Sequence, residues 1–124
     1  MEIAYLRYKC QEGIEINHYV FRHDEKGTPW LIQVINDDLD ASPRKKASEE
    51  FIRDLQALIG QGDVFSYKPE YYAEPEVCGG SIWELEVRLE NGQSVRSSGR
   101  AVLPPNSILD SLELLLKSYL HQRQ

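Results

Sequence analysis

The side chains best placed to do chemistry fall into two groups. His18, Tyr8 and Trp83 could frame a small-molecule pocket, the imidazole acting as general base and the two aromatics holding an apolar ligand. Such a base works with a carboxylate or nucleophile beside it, and the strand carrying His18 supplies neither. The preferred reading is a histidine satisfied within the core. The second group is the acidic, tyrosine-rich run Tyr67, Glu70, Tyr71, Tyr72, Glu74 and Glu76. Tyrosine gives contact area at low entropic cost, and carboxylates steer a basic partner. This run, with the adjoining sheet edge, is expected to bind protein.

Other candidates resolve into structural roles. Glu84 and Glu86 share a strand face and could serve acid/base chemistry or hold a hard cation, but the pairing worked out below gives Glu86 to Arg96 and Glu84 to Ser98. Pro43-Arg44-Lys45-Lys46 could hold an anion at a helix start, except that Asp37, Asp38 and Asp40 lie close enough to neutralise it. Ser97-Ser98-Gly99 lacks the strand-to-helix turn of a nucleophile elbow, and Gly79-Gly80 is too short for a phosphate loop. His23 and His121 are expected in solvent. Cys10 and Cys78 have no Cys/His spacing around them, so they are expected to be free thiols, with no metal, cofactor or disulfide framework.

Composition sets the frame for these side chains. With 124 residues, 41% hydrophobic and 27% charged, the chain has ordinary globular make-up and is long enough to bury about two-thirds of its unfolded surface. One domain over 1–124 is expected. The longest apolar run, Leu114-Leu115-Leu116, cannot cross a bilayer, and Met1-Glu2-Ile3-Ala4-Tyr5 lacks the layout of a signal peptide, so a cytoplasmic setting away from membranes is expected. The formal charge of −6 disfavours nonspecific binding to nucleic acid. Acid is concentrated in 61–90, where Asp63, Glu70, Glu74, Glu76, Glu84, Glu86 and Glu90 face only Lys68 and Arg88. A basic protein is the expected partner.

Hydrophobic periodicity supplies the elements. Residues 2–10 alternate as a strand, and a second returns through Gln11-Glu12-Gly13. A three-residue loop closed by a left-handed Gly13 would set Cys10 opposite Ile14, Tyr8 opposite Ile16 and Tyr5 opposite Tyr19. The same loop length at Glu25-Lys26-Gly27 sets Val20 opposite Ile32, Phe21 opposite Leu31 and His18 opposite Val34. At Glu90-Asn91-Gly92 it pairs Val87 with Val95, whereas the two-residue turn usual for Asn-Gly would put Val87 opposite Arg96. Ser42-Pro43 is read as the start of a helix over 43–59, with Ala47, Phe51, Leu55, Leu58 and Ile59 as its apolar stripe. Ser107 and Asp110 stand in capping-box spacing before a second helix carrying Ile108, Leu112, Leu115 and Tyr119. The irregular stretch 60–81 has room for a short strand near 64–68. The expected fold is α+β, an antiparallel sheet in the order βββ-α-ββ-α with both helices on one face.

The C-terminal half resembles a domain recurring in small uncharacterised bacterial proteins. The likeness lies in Gly80, the strand Trp83-Glu84-Leu85-Glu86-Val87, the turn Asn91-Gly92, the step Ser98-Gly99, Pro104 and the Leu-rich closing helix. It departs where Cys78-Gly79-Gly80 replaces an aspartate that often precedes the glycine, and where Arg100 stands near a common asparagine. The resemblance implies a fold for about forty residues and no catalytic one. The residues therefore point to a noncatalytic interaction protein, an inhibitor, immunity-type partner or accessory subunit. The alternatives are a binding domain or enzyme with its pocket near His18, and a homodimer joined through sheet edges.

Overall fold

Alternation of apolar and polar side chains over Ile3–Glu12 gives β1, and Glu15–His23 gives β2. The computed structural model describes residues 2–72 and 81–122. Pro29–Gln33 is β3, Arg44–Lys46 β4, Glu70–Tyr72 β5, Ile82–Leu89 β6 and Ser94–Arg100 β7; helix α1 spans Glu49–Gln61 and α2 spans Leu109–Leu120. All seven strands join one sheet in the order β4-β3-β2-β1-β6-β7-β5. Class and helix count match expectation, but the sheet is mixed rather than antiparallel, because β5 runs parallel to β7. It also has two short strands, β4 and β5, that the expected order lacks.

Two of the three hairpins have the expected register. Val20 pairs with Ile32 and Phe21 with Leu31, while Val87 pairs with Val95 and Glu86 with Arg96. Each loop closes with a positive-φ glycine, Gly27 or Gly92. The first hairpin differs. Glu12 pairs with Glu15 and Tyr8 with Tyr19, so the connection is the two-residue turn Gly13-Ile14, with Gly13 at φ +61° in its first position. That offset turns β2 over relative to β1. Tyr19 and Phe21 enter the core, Ile14 and Ile16 go to solvent, and His18 and Val20 move to the face opposite Leu6 and Tyr8. The aromatic pair wins the buried side because it removes more apolar surface from water than the isoleucines would.

The first helix also starts later than expected. Ser48 rather than Ser42 caps α1, its Oγ accepting from the Phe51 N–H at 3.1 Å, and Glu49 and Glu50 then occupy the first turn. Acids suit the positive end of the helix dipole, whereas a start at Ser42 would place Arg44, Lys45 and Lys46 there. Those three residues form β4 beside β3 instead, which removes the candidate anion site at a helix N-terminus. Ser42 is used elsewhere: its buried hydroxyl accepts from the Ile35 N–H at 2.8 Å and donates to the Asp38 carbonyl. Ser107 makes no capping box; its Oγ accepts from the Leu109 N–H two residues on. In 60–72 the expected strand at 64–68 is a 3₁₀ turn, Val64–Ser66, followed by β5.

Both helices cover the same sheet face. Phe51, Leu55 and Ile59 of α1 and Leu109, Leu112 and Leu116 of α2 pack on Leu6, Tyr8, Tyr19, Phe21, Trp83, Leu85 and Val87. Trp83 lies across from Gly99 and donates its indole N–H to the Val102 carbonyl at 2.8 Å. A Cβ on Gly99 would come within 2.6 Å of the indole and 2.7 Å of that carbonyl, so only glycine fits opposite this tryptophan. Among the described residues, no helix is long and apolar enough to cross a membrane.

Candidate functional site on the open sheet face

No described helix covers the other face of the sheet. Strand alternation places on it Tyr5, Arg7 and Lys9 from β1, Ile16, His18, Val20 and Arg22 from β2, and Trp30, Ile32 and Val34 from β3; Glu84, Glu86 and Arg88 follow on β6. A small apolar island of Val20, Ile32 and Val34 is buried there beneath Tyr5, Trp30 and Leu39.

The sequence-derived trio is split by the sheet. Tyr8 and Trp83 are buried under the helices, where burial pushes the Tyr8 hydroxyl far up, whereas His18 sits on the open face and shares no pocket with them. His18 does lie beside Val34, whose N–H donates to its carbonyl at 2.8 Å. The Arg7 side chain donates from Nε to His18 Nε2 at 3.0 Å, and since arginine only donates, Nε2 is the unprotonated nitrogen. Nδ1 then carries the proton and faces Asp37 Oδ1 at 3.8 Å. Burial, followed by the Arg7 and Lys9 charges, lowers the His18 pKa and keeps the ring neutral. Asp37 is brought in by a tight turn in which Asn36 and Asp37 both have positive φ and the Asp38 N–H donates to the Ile35 carbonyl. Glu84 completes the chain at 3.5 Å from Arg7. A ring whose lone pair is taken by a guanidinium is held in place rather than poised to accept a proton.

The tyrosine-rich run divides. Tyr67 is buried and its hydroxyl accepts from the Ile108 N–H, while Tyr71 packs at 6.0 Å from the Trp83 ring and accepts from the Lys68 N–H at 2.9 Å. Glu70 and Tyr72 are exposed on edge strand β5. Glu74 and Glu76, like Cys78, lie outside the described residues. Tyr67 and Tyr71 thus close the core beneath β5, and among the described residues of this run Glu70 and Tyr72 are the exposed ones.

The β1–β2 turn was not legible as a site. Ile14 at its tip is fully exposed, and Ile16 and Ile35 are 54% and 50% exposed. With Lys9, His18, Val34 and Asp37 they line one cleft of about 390 Å³. On the other side of the hairpin, toward α2, Glu12 and Glu15 stand directly opposite each other, an unfavourable pair of like charges. Both also repel Glu113 on α2; burial raises that carboxyl's pKa, and Glu12, Asp110 and Glu15 raise it further against the opposing pull of Lys117. Among the described residues, no three His, Cys, Asp or Glu side chains gather as a metal site would require. No protein-family model and no curated protein matches the sequence.

Proposed function

We propose that the chain is a noncatalytic protein-interaction module of the cytoplasm that grips a basic protein at the tip of the β1–β2 hairpin. The observation that carries this is the cleft of exposed isoleucines with the Asp37 carboxylate on its wall. Single exposed apolar residues are ordinary, but Ile14, Ile16 and Ile35 around one depression make an anchoring surface of the kind partners cover. Across the hairpin tip from the cleft, on its α2 side, Glu12 and Glu15 repel each other in the free protein, and a cation from a partner that wraps the tip would turn that repulsion into attraction. His18 and Asp37 line the cleft, and the Arg7 bond to His18 fixes the orientation of that ring.

This moves the partner surface away from the tyrosine run, two of whose aromatics face the core. It also favours interaction over catalysis near His18, whose acceptor nitrogen is occupied. Affinity capture with mass spectrometry tests the reading by comparing wild type with Ile14→Ser/Ile16→Ser, Glu12→Lys/Glu15→Lys and a Glu70/Glu74/Glu76 charge reversal. The expected result is one basic partner lost from both hairpin-tip variants and kept by the third. Loss from the third alone would return the surface to residues 67–76.

A further inference from the structure

At the opposite end of the open face, five adjacent strands present one row of alternating cations and aromatics. Cross-strand pairing runs Lys46 to Trp30 to Arg22 to Tyr5 to Arg88, from β4 through β3, β2 and β1 to β6. Neighbouring strands are about 4.8 Å apart, so the row extends for about 19 Å across the sheet. We propose that this row binds single-stranded nucleic acid, bases stacking on Trp30 and on the Arg88 guanidinium that covers Tyr5, and phosphates meeting Arg22 and Lys46.

The row has the chemistry such a ligand requires. Single strands are held by planar groups that stack on bases and by cations that follow the backbone, and this row interleaves the two. Arg22 and Lys46 form no ion pair among the described residues. The Arg88 guanidinium lies over the Tyr5 ring at 4.6 Å, offering its own flat face to a base. Trp30 is only half-buried, and its indole N–H is fixed by Asp24 at 3.0 Å, which leaves the ring immobilised beside a cleft of about 560 Å³ that Arg22, Lys26 and Arg44 also line.

The carboxylates nearby are largely engaged. Asp24 also accepts from the Lys26 and Thr28 N–H groups, and Glu86 is held by Arg88 at 2.6 Å and Arg96 at 3.5 Å; Glu25 is the remaining acid on the cleft wall. An acidic peptide would satisfy the cations and leave the aromatics unused, which is why a nucleic acid strand is the better fit. The net charge of −6 averages over both faces and both ends, and says nothing of this row.

Fluorescence anisotropy with labelled oligo-dT and oligo-U of about a dozen nucleotides tests the assignment. Wild type should bind the single strands, with a log affinity against log salt slope of about −1.4 for two phosphate contacts, at Arg22 and Lys46. A blunt duplex should bind at least about tenfold more weakly. Arg22→Glu/Lys46→Glu and Trp30→Ala should each weaken binding at least about tenfold, Trp30→Phe should retain most of it, and Ile14→Ser/Ile16→Ser at the far end should leave it unchanged. Preference for oligo-U would identify RNA through its 2′-hydroxyls and parity would identify shared strand chemistry, both supporting the proposal. No binding by wild type, equal competition by polyglutamate, or binding indifferent to the row variants in protein with native circular dichroism would overturn it.

Discussion

The two faces of this sheet are made from the same strands and follow opposite rules. Under the helices every position is decided by shape: Trp83 fills the space that Gly99 vacates, Phe21 tilts against Phe51, and Tyr71 closes over Trp83. On the open face, outside the buried Val20–Ile32–Val34 island, positions are decided by charge and reach, as in the Glu84–Arg7–His18–Asp37 chain and the Arg88–Tyr5 contact. A substitution under the helices should therefore cost stability, whereas one at an exposed position of the open face should cost binding.

The largest stability effect is expected where the covered face is tightest. Gly99→Ala should cost about 1–3 kcal/mol, because the added methyl meets an immobile indole and a backbone carbonyl. Urea unfolding would measure this, and a neutral result would mean the face tolerates repacking. The same face holds one poorly served group. The Tyr19 hydroxyl is buried with no hydrogen-bond partner among the described residues, and burial, then Glu113, Cys10 and Glu15, push its pKa up to about 12. Tyr19→Phe should stabilise by about 1 kcal/mol, since the hydroxyl is hydrated only when the chain is unfolded. A loss in thermal unfolding would instead reveal a partner for it.

His18 links the two regimes, being a polar side chain buried on the open face. Its pKa is lowered in the folded protein, so the unfolded chain takes up more protons as pH falls. Its contribution is complete above its ordinary value of 6.5, declines as pH falls below that, and is lost once pH passes its folded pKa. Denaturation measured between neutral pH and pH 5 should show this decline, and His18→Gln should flatten it. The smallest stability effect belongs to the hairpin tip. Ile14→Ser should change unfolding free energy by no more than about 0.5 kcal/mol while abolishing partner capture, the sharpest form of the contrast between faces.

How much was legible in the residues follows the same division. The registers at Gly27 and Gly92 could be read because each offered one arrangement that matched apolar with apolar and charge with opposite charge. At Gly13 both offsets gave plausible pairs, and the choice rested on whether Tyr19 and Phe21 or Ile16 and His18 lay beneath helices not yet placed. With Tyr5 set opposite Tyr19 the cation–aromatic row does not exist; with Tyr5 opposite Arg22 it does. Likewise Ser42 and Ser48 are equally good caps by type, and only the acids following Ser48 separate them. Tyr67, Tyr71 and Tyr72 are one residue type in one run, and which of them faces inward depends on the parallel pairing of β5 with β7, which no local pattern encodes.

The central place of β1 bears on how the molecule assembles. Arg7 and Glu84 stand on its junction with β6 and are 77 residues apart in sequence, so the hairpin of β1 and β2 can form early while the far side of β1 stays open until the last third of the chain arrives. Closing a loop of that length before its contacts reward it slows folding. During that interval the exposed backbone of β1 is a template for another chain's strand, so refolding yield should fall as protein concentration rises, even though the finished sheet ends in the three-residue strands β4 and β5.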